Sequence, residues 1–344
     1  MTHVTVVVGA QFGSEGKGAI AGHLGKEMFG DDIAVRVAGP NAGHTAYDAN
    51  HREWKLRAVP VAAVTSSNCR LHIASGSEID TEVLIGEIQD LDDAGFNVSS
   101  RLTISPAATI LHPKYIGDEQ SMGLVGRIGS TGKGIGAARA ARIMREADTA
   151  MSSPTLARWL FDDCGYDMDF GTYDKVVIEG TQGYGLGLHT PFYPTVTSSD
   201  CRAVDFLAMC GISPWAEWIG ELDVILVARI YPIRVAGPSG PLKGETTWED
   251  LGLPIERTTV TQKVRRVGEW DQDLVIEAIA ANGGGNFNPR VGMALTMLDQ
   301  KFPTVKDRTT LDDPHAMEFV EDLEQRLEIN IDYVGTGPET VVDL

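Results

Sequence analysis

Basic residues are scarce in this chain. Lys and Arg together number 29 against 48 Asp and Glu, a formal charge of −19 over 344 residues. A surface that acidic argues against non-specific binding to nucleic acid or to a membrane. It leaves open a phosphorylated small molecule, because local basic groups can still line a pocket. Cysteine is scarce too: Cys69, Cys164, Cys201 and Cys210 stand too far apart for a C-x-x-C pair and read as reduced thiols. Long apolar runs are missing, with no segment near the roughly 18 residues of a membrane span. The first residues enter a strand without the basic and apolar regions of a signal peptide. Internal repeats, low-complexity tracts and obvious linkers are also lacking. The expectation is a cytoplasmic protein of one domain over residues 1–344 with loop insertions, its 43% hydrophobic content enough for a full core.

What is present is glycine in particular places. Val4, Val6, Val7 and Val8, with Thr5, form a β-branched run that predicts a strand buried on both faces. Gly9, Gly13, Gly16 and Gly18 follow, and AIAGHLGKEM then predicts a helix. A strand, a glycine-rich turn and a helix start present backbone N–H groups to an anion, with Lys17 as a nearby point charge. The spacing departs from G-x-x-x-x-G-K-[ST], whose first glycine would fall at Gln11 and whose hydroxyl residue is replaced by Gly18. Alone, the loop fits either a nucleotide or a tight turn that packs a helix on a sheet.

The same alternation continues. Ile33–Thr45 predicts a strand opening into a loop of small residues, and Arg70–Asp80 repeats it. Asp80–Ala94 predicts a helix with Leu84, Ile88 and Leu91 on one face. A strand near Leu102–Ser105 precedes a glycine-rich loop, Gly126–Gly136, which feeds a basic helix. Lys175–Gly183 and Asp223–Val235 predict further strands, the second broken at Pro232. Helices are expected near Asp273–Asn282, Arg290–Leu298 and Pro314–Leu327, the last with Phe319, Leu323 and Leu327 on one stripe. The fold class is α/β, a large and mainly parallel sheet flanked by helices, with ligands at the carboxyl ends of its strands.

In order along the chain, GAQFGSEGKG, NAGHT (Asn41–Thr45), Gly129–Gly136, EGTQG (Glu179–Gly183), Pro194–Ser199, Arg265–Gly268 and Thr336–Pro338 resemble the motif blocks of the adenylosuccinate synthetases. The resemblance runs nearly end to end and is specific as an ordered set, though each block alone is weak. It implies a P-loop-like ligase that phosphorylates the 6-oxygen of a purine nucleotide from a nucleoside triphosphate. The amine of L-aspartate then displaces the phosphate.

That resemblance implies a role for particular residues. Gly13, Glu15, Gly16, Lys17 and Gly18, with Thr45, Asp299 and Gly337, would bind the triphosphate, and Lys17 would neutralise charge during transfer. Mg²⁺ would lie between the phosphates, with the Gly43 carbonyl as a ligand and Ser14 as another candidate. His44 matches the family's catalytic histidine. Ser14, Asn41, Thr131, Gln182 and Thr197 would hold the purine monophosphate, together with Arg145, which matches an arginine that reaches across a dimer interface. Arg139, Arg142 and Arg145 equally suit a solvated helical face. Thr261, Lys263 and Arg265 would grip aspartate; arginine suits a bidentate carboxylate, while Lys263 stands where many relatives have arginine.

Two departures matter. The family's general base, an aspartate, is replaced here by Ser14, a poor base without an activating partner. Either the activity is lost, leaving a nucleotide sensor, or the substrate has changed. A carboxylate at purine N1 lies beside C2, which carries only hydrogen in IMP but an amino group in a guanine nucleotide. Serine removes bulk and charge there and keeps an oxygen that can accept a hydrogen bond. In this the chain resembles the phage 2-aminoadenylosuccinate synthetases, which act on dGMP in making diaminopurine DNA; a phage enzyme would work in the host cytoplasm. The alternative is an IMP-dependent enzyme of purine biosynthesis. Second, the family's T-K-L-D is TMLD, Thr296–Asp299. Met297 packs on any purine face, so ATP or dATP is expected ahead of GTP.

Overall fold

The β-branched run at the start of the chain lies in the middle of a nine-stranded sheet in the computed structural model, which describes residues 1–161, 168–258 and 262–344. Along the chain the strands are β1 (Thr2–Gly9), β2 (Ile33–Arg36), β3 (His44–Tyr47), β4 (Glu53–Leu56), β5 (Arg70–Ile73), β6 (Glu78–Ile79), β7 (Leu102–Ile104) and β8 (Thr109–Ile110). Then come β9 (Lys175–Glu179), β10 (Ile219–Arg229), β11 (Ile233–Arg234), β12 (Arg266–Val267), β13 (Val291–Thr296), β14 (Ile331–Gly335) and β15 (Val341–Asp343). The large sheet runs β15-β14-β13-β10-β1-β9-β2-β5-β7. Its pairs are parallel except β14 with β15. Eight strands therefore end on the same edge, and the loops that leave them converge there.

Both faces of the sheet are covered. Val4, Val6 and Val8 of β1 pack with Val275 and Ile279 of the helix Gln272–Ala281 and with Val320, Leu323 and Leu327 of the helix Pro314–Leu327. Val7 points the other way, among Ile20 and Ala21 of the helix Lys17–Gly25 and Leu84, Ile88 and Leu91 of the helix Thr81–Asp93. The latter starts where the Asp80 carboxylate accepts the Glu82 and Val83 N–H groups, at 3.2 Å each. Its buried stripe is the expected one, and Pro314–Leu327 has the expected bounds. No helix among the described residues is long and apolar enough to cross a membrane.

Four expectations need correction. Arg290–Leu298 is not a helix: Val291–Thr296 is β13, buried at every position between β10 and β14. A short run without a polar face fits a helix segment and a doubly covered strand equally well. The close approach of Asp332 also requires the bare Gly292, where a Cβ would fall on that carboxylate. The strand expected at Asp223–Val235 starts earlier, at Ile219, and ends at Arg229. Beyond Pro232, Ile233–Arg234 turns away to pair with β12. The loop Gly126–Gly136 is partly helical, since Leu124–Ile128 runs into it and Ile135–Met144 starts within it. NAGHT leaves the loop at His44, which opens β3 of a small hairpin.

Candidate active site

A cavity of about 980 Å³ opens where the parallel strands end. It is lined by Gly13, Ser14, Gly16, Lys17 and Gly18 after β1, and by Asn41, Gly43, His44 and Thr45 after β2. Gln182 after β9, Thr131, and Lys263 with Arg265 bound it elsewhere. The end of β13 supplies Thr296, Met297 and Asp299, and Gly337 follows β14. Fragments far apart in sequence thus meet around one space.

The glycine-rich loop is built around a buried acid. Ser14 takes a left-handed backbone, φ 59°, between Gly13 at φ 85° and Gly16 at φ 93°. The tight path turns Glu15 inward, fully buried. Its Oε1 accepts the Gly13 N–H at 2.7 Å and the Gln11 N–H at 3.2 Å, and its Oε2 accepts from Lys17 Nζ at 2.6 Å. Lys17 also donates to the Gln182 carbonyl. The Glu15 side chain therefore organises the loop, and of residues 13–18 it alone does not line the cavity. The carbonyl of Glu15 accepts from Thr296 Oγ1 at 2.5 Å, which fastens the loop to β13.

His44 is 8% exposed, and Glu179 and Arg36 both engage its Nδ1. This leaves Nε2 as the nitrogen free to meet a ligand. Burial and the Arg36 guanidinium lower the ring's pKa to about 4, outweighing the Glu179 carboxylate. The imidazole is neutral near pH 7. The two contacts at Nδ1 select opposite tautomers: a carboxylate only accepts, so the Glu179 contact places the ring proton on Nδ1, whereas the Arg36 contact places it on Nε2, the form that can donate to a ligand oxygen.

Asp299 is half-buried, and burial raises its carboxyl, with Asp307 adding to the shift. Met297, at φ 59°, turns the chain ahead of it. Arg265 and Lys263 stand beside Thr258 at the cavity wall.

Among the described residues, three expected ones are not on that wall: Glu15, as above, and Arg145 and Thr197. Arg145 is exposed and donates to the nearby Ile143 carbonyl. Thr197 is half-buried, with its N–H on the Leu186 carbonyl at 2.8 Å. Thr261 lies outside the described residues, as does Cys164. Sequence reading missed Arg36, Arg229 and Glu256. The two arginines had a legible signal, a lone charge at the carboxyl end of an apolar strand; Glu256 had none.

The family model for adenylosuccinate synthetase matches residues 6–154 and 167–306. The adenylosuccinate synthetase of Pyrococcus sp. (strain ST700) is 35% identical over 343 residues, covering 97% of this chain and 96% of that one. The N6-succino-2-amino-2'-deoxyadenylate synthase of Vibrio phage phiVC8 is 37% identical over 279 residues, 78% of this chain and 79% of that one. Among solved structures, the succinoaminodeoxyadenylate synthetase of cyanophage S-2L, bound to dGMP and dATP, superposes with a TM-score of 0.81 at 27% identity, covering 100% of this chain and 95% of that one.

Proposed function

The chain belongs to the adenylosuccinate synthetase family of carbon–nitrogen ligases, and on that premise we propose that it joins L-aspartate to C6 of dGMP at the expense of ATP or dATP. The product is N6-succino-2-amino-deoxyadenylate, a precursor of diaminopurine DNA. The observation that carries this reading is Ser14, exposed at the cavity wall where the family's aspartate would stand. The two phage relatives, one of them bound to dGMP and dATP, support it.

The neighbouring groups fit the two steps. His44 Nε2 donates to the purine 6-oxygen as the γ-phosphoryl group reaches it, and Lys17 offsets the charge of that group. Loop N–H groups from Gly13 to Gly18, with Thr45 and Gly337, hold the phosphates and ribose of the triphosphate; Asp299 and Met297 meet its base. Asn41, Thr131, Gln182 and Thr197 hold dGMP. Lys263 and Arg265, with Thr261, hold the aspartate carboxylates while its amine displaces the phosphate. The donor set suits Mg²⁺, a hard cation that keeps several waters and phosphate oxygens. Gly43 and Ser14 line the cavity, and the Gly43 carbonyl and Ser14 hydroxyl would hold the ion, whereas the Glu15 carboxylate is already committed inside the loop. Bound there, Mg²⁺ would offset the negative charge of the phosphates. Arg145 serves a neighbouring subunit's dGMP in a homodimer working in the cytoplasm.

The test supplies Mg²⁺, aspartate and either ATP, dATP or GTP with either dGMP or IMP, and looks for an N6-succinyl product. Product from dGMP with an adenine triphosphate is expected. Product from IMP alone would establish the IMP-dependent reading, which the longer overlap with adenylosuccinate synthetases favours. Failure with both would indicate a sensor. The variant Ser14→Asp sharpens the comparison, because aspartate tolerates a left-handed backbone better than serine. It should lower turnover of dGMP at least tenfold and raise that of IMP, with no loss of thermal stability.

A further inference from the structure

Glu256 sits at the meeting point of three parts of the cavity. Its carboxylate takes both terminal nitrogens of Arg229, Nη2 at 2.5 Å and Nη1 at 3.1 Å. Arg229 is fully buried at the end of β10, and its Nη1 also donates to the Ser14 carbonyl at 3.3 Å. The same Glu256 oxygen that meets Arg229 Nη1 lies 3.5 Å from Nη1 of Arg265. The two residues also meet through the backbone, the Arg265 N–H donating to the Glu256 carbonyl at 2.9 Å. Gln300, next to Asp299, is a third neighbour and helps to hold the Glu256 carboxyl low, against the burial that raises it.

The charges do not balance within this group: two guanidinium ions share one carboxylate. The grip on Arg229 is forked and short, whereas Arg265 has a single long contact. Nε of Arg265 is buried without a hydrogen-bond partner. The Arg265 guanidinium is therefore anchored through Nη1 to Glu256, while Arg229 Nε is left without a partner in the same way. A carboxylate arriving from the cavity would complete a two-plus-two arrangement around the buried Arg229 and the partly buried Arg265, offsetting their desolvation.

Resting on the reading of Lys263 and Arg265 as the aspartate clamp, we infer that Glu256 is the positioning residue of that clamp. It aims Arg265 at the substrate and, through Arg229, fixes the clamp relative to Ser14 and the phosphate loop. Glu256 also lines the cavity, but its carboxylate is taken up by the two arginines, and it acts through them. Its loss lets Arg265 swing and leaves Arg229 without a counter-ion. Aspartate binding suffers first, and the nucleotide sites, held by other elements, suffer less.

Steady-state kinetics on the full chain tests this, with aspartate and purine monophosphate varied in turn. Glu256→Gln, which keeps the shape and removes the charge, should raise KM for aspartate about tenfold or more, the scale of a charge-assisted hydrogen bond. KM for the monophosphate should change less than about threefold. Arg229→Lys keeps the charge and loses the fork, so it should raise KM for aspartate in the same direction with the fold retained by circular dichroism. Glu256→Asp should recover part of the loss. Equal falls in kcat for every substrate with unchanged KM values, or a change confined to thermal stability, would overturn the inference. Arg265→Met serves as the control. If it leaves KM for aspartate unchanged, the clamp itself is misread; if it raises KM while Glu256→Gln and Arg229→Lys do not, only the role of Glu256 falls.

Discussion

His44 and His72 are both buried, and both are held neutral. Burial lowers His72 to about 3, and burial with Arg36 lowers His44 to about 4, from 6.5. As pH falls below about 6.5 the unfolded chain takes up protons at both rings while the folded chain does not. The unfolded state then binds more protons, so stability falls with pH through that window, by up to several kcal/mol. Glu179 acts in the same direction at lower pH: burial raises its carboxyl, but Arg36 and His44 prevail and hold it low. Thermal unfolding followed from pH 7.5 to 5 should show a steadily falling Tm. His72→Asn, which keeps a partner for Thr103, should flatten the slope and leave activity at pH 7.5 unchanged; an unaltered slope would exclude His72 as a source. At this scale the sequence was most readable where site residues sit in one short block, as with Gly13 to Gly18 or Asn41 to Thr45. Arg36 and Glu179, or Arg229 and Glu256, are pairs formed across the sheet edge, and no local spacing marks them.

Among elements, the helix Thr81–Asp93 offers a clean case. Its start rests on one carboxylate accepting two N–H groups, and Asp80 lies away from the cavity wall. Asp80→Ala should cost about 1 kcal/mol of stability, as lost N-caps do, with kcat and KM unchanged; chemical denaturation measures the first and the ligase assay the second. Helices of this kind were legible because a cap and a single apolar stripe agree. β13 was not, because a strand covered on both faces erases the alternation that would reveal it. Its true character depends on β10 and β14, its neighbours in the sheet. The same holds for β11, which turns off to pair with β12 and so brings Ile233 against Val267.

For the whole molecule, the order of blocks along the chain was readable, and the space they enclose was not. Thr197 and Arg145 show the difference, since neither lines the cavity of a single chain. Ile143 and Met144, exposed beside Arg145, suit a face covered by a second copy. Sedimentation should give twice the monomer mass. Arg145→Leu and Lys17→Met, each nearly inactive alone, should regain part of the activity when mixed, because one hybrid site then has both residues; no recovery would place Arg145 outside the site.

The buried Glu15 carboxylate gives the phosphate loop a resident counter-ion. Lys17 and the Gly13 and Gln11 N–H groups are already engaged by it. Lys17 keeps a third N–H beyond its bonds to Glu15 and Gln182, so an anion arriving at this loop would share the lysine with Glu15 rather than displace it. The pull it meets is already partly offset, and is little for a single charge and more for a chain of three phosphates. On the proposed reading, the loop would favour a triphosphate through charge before any base is read.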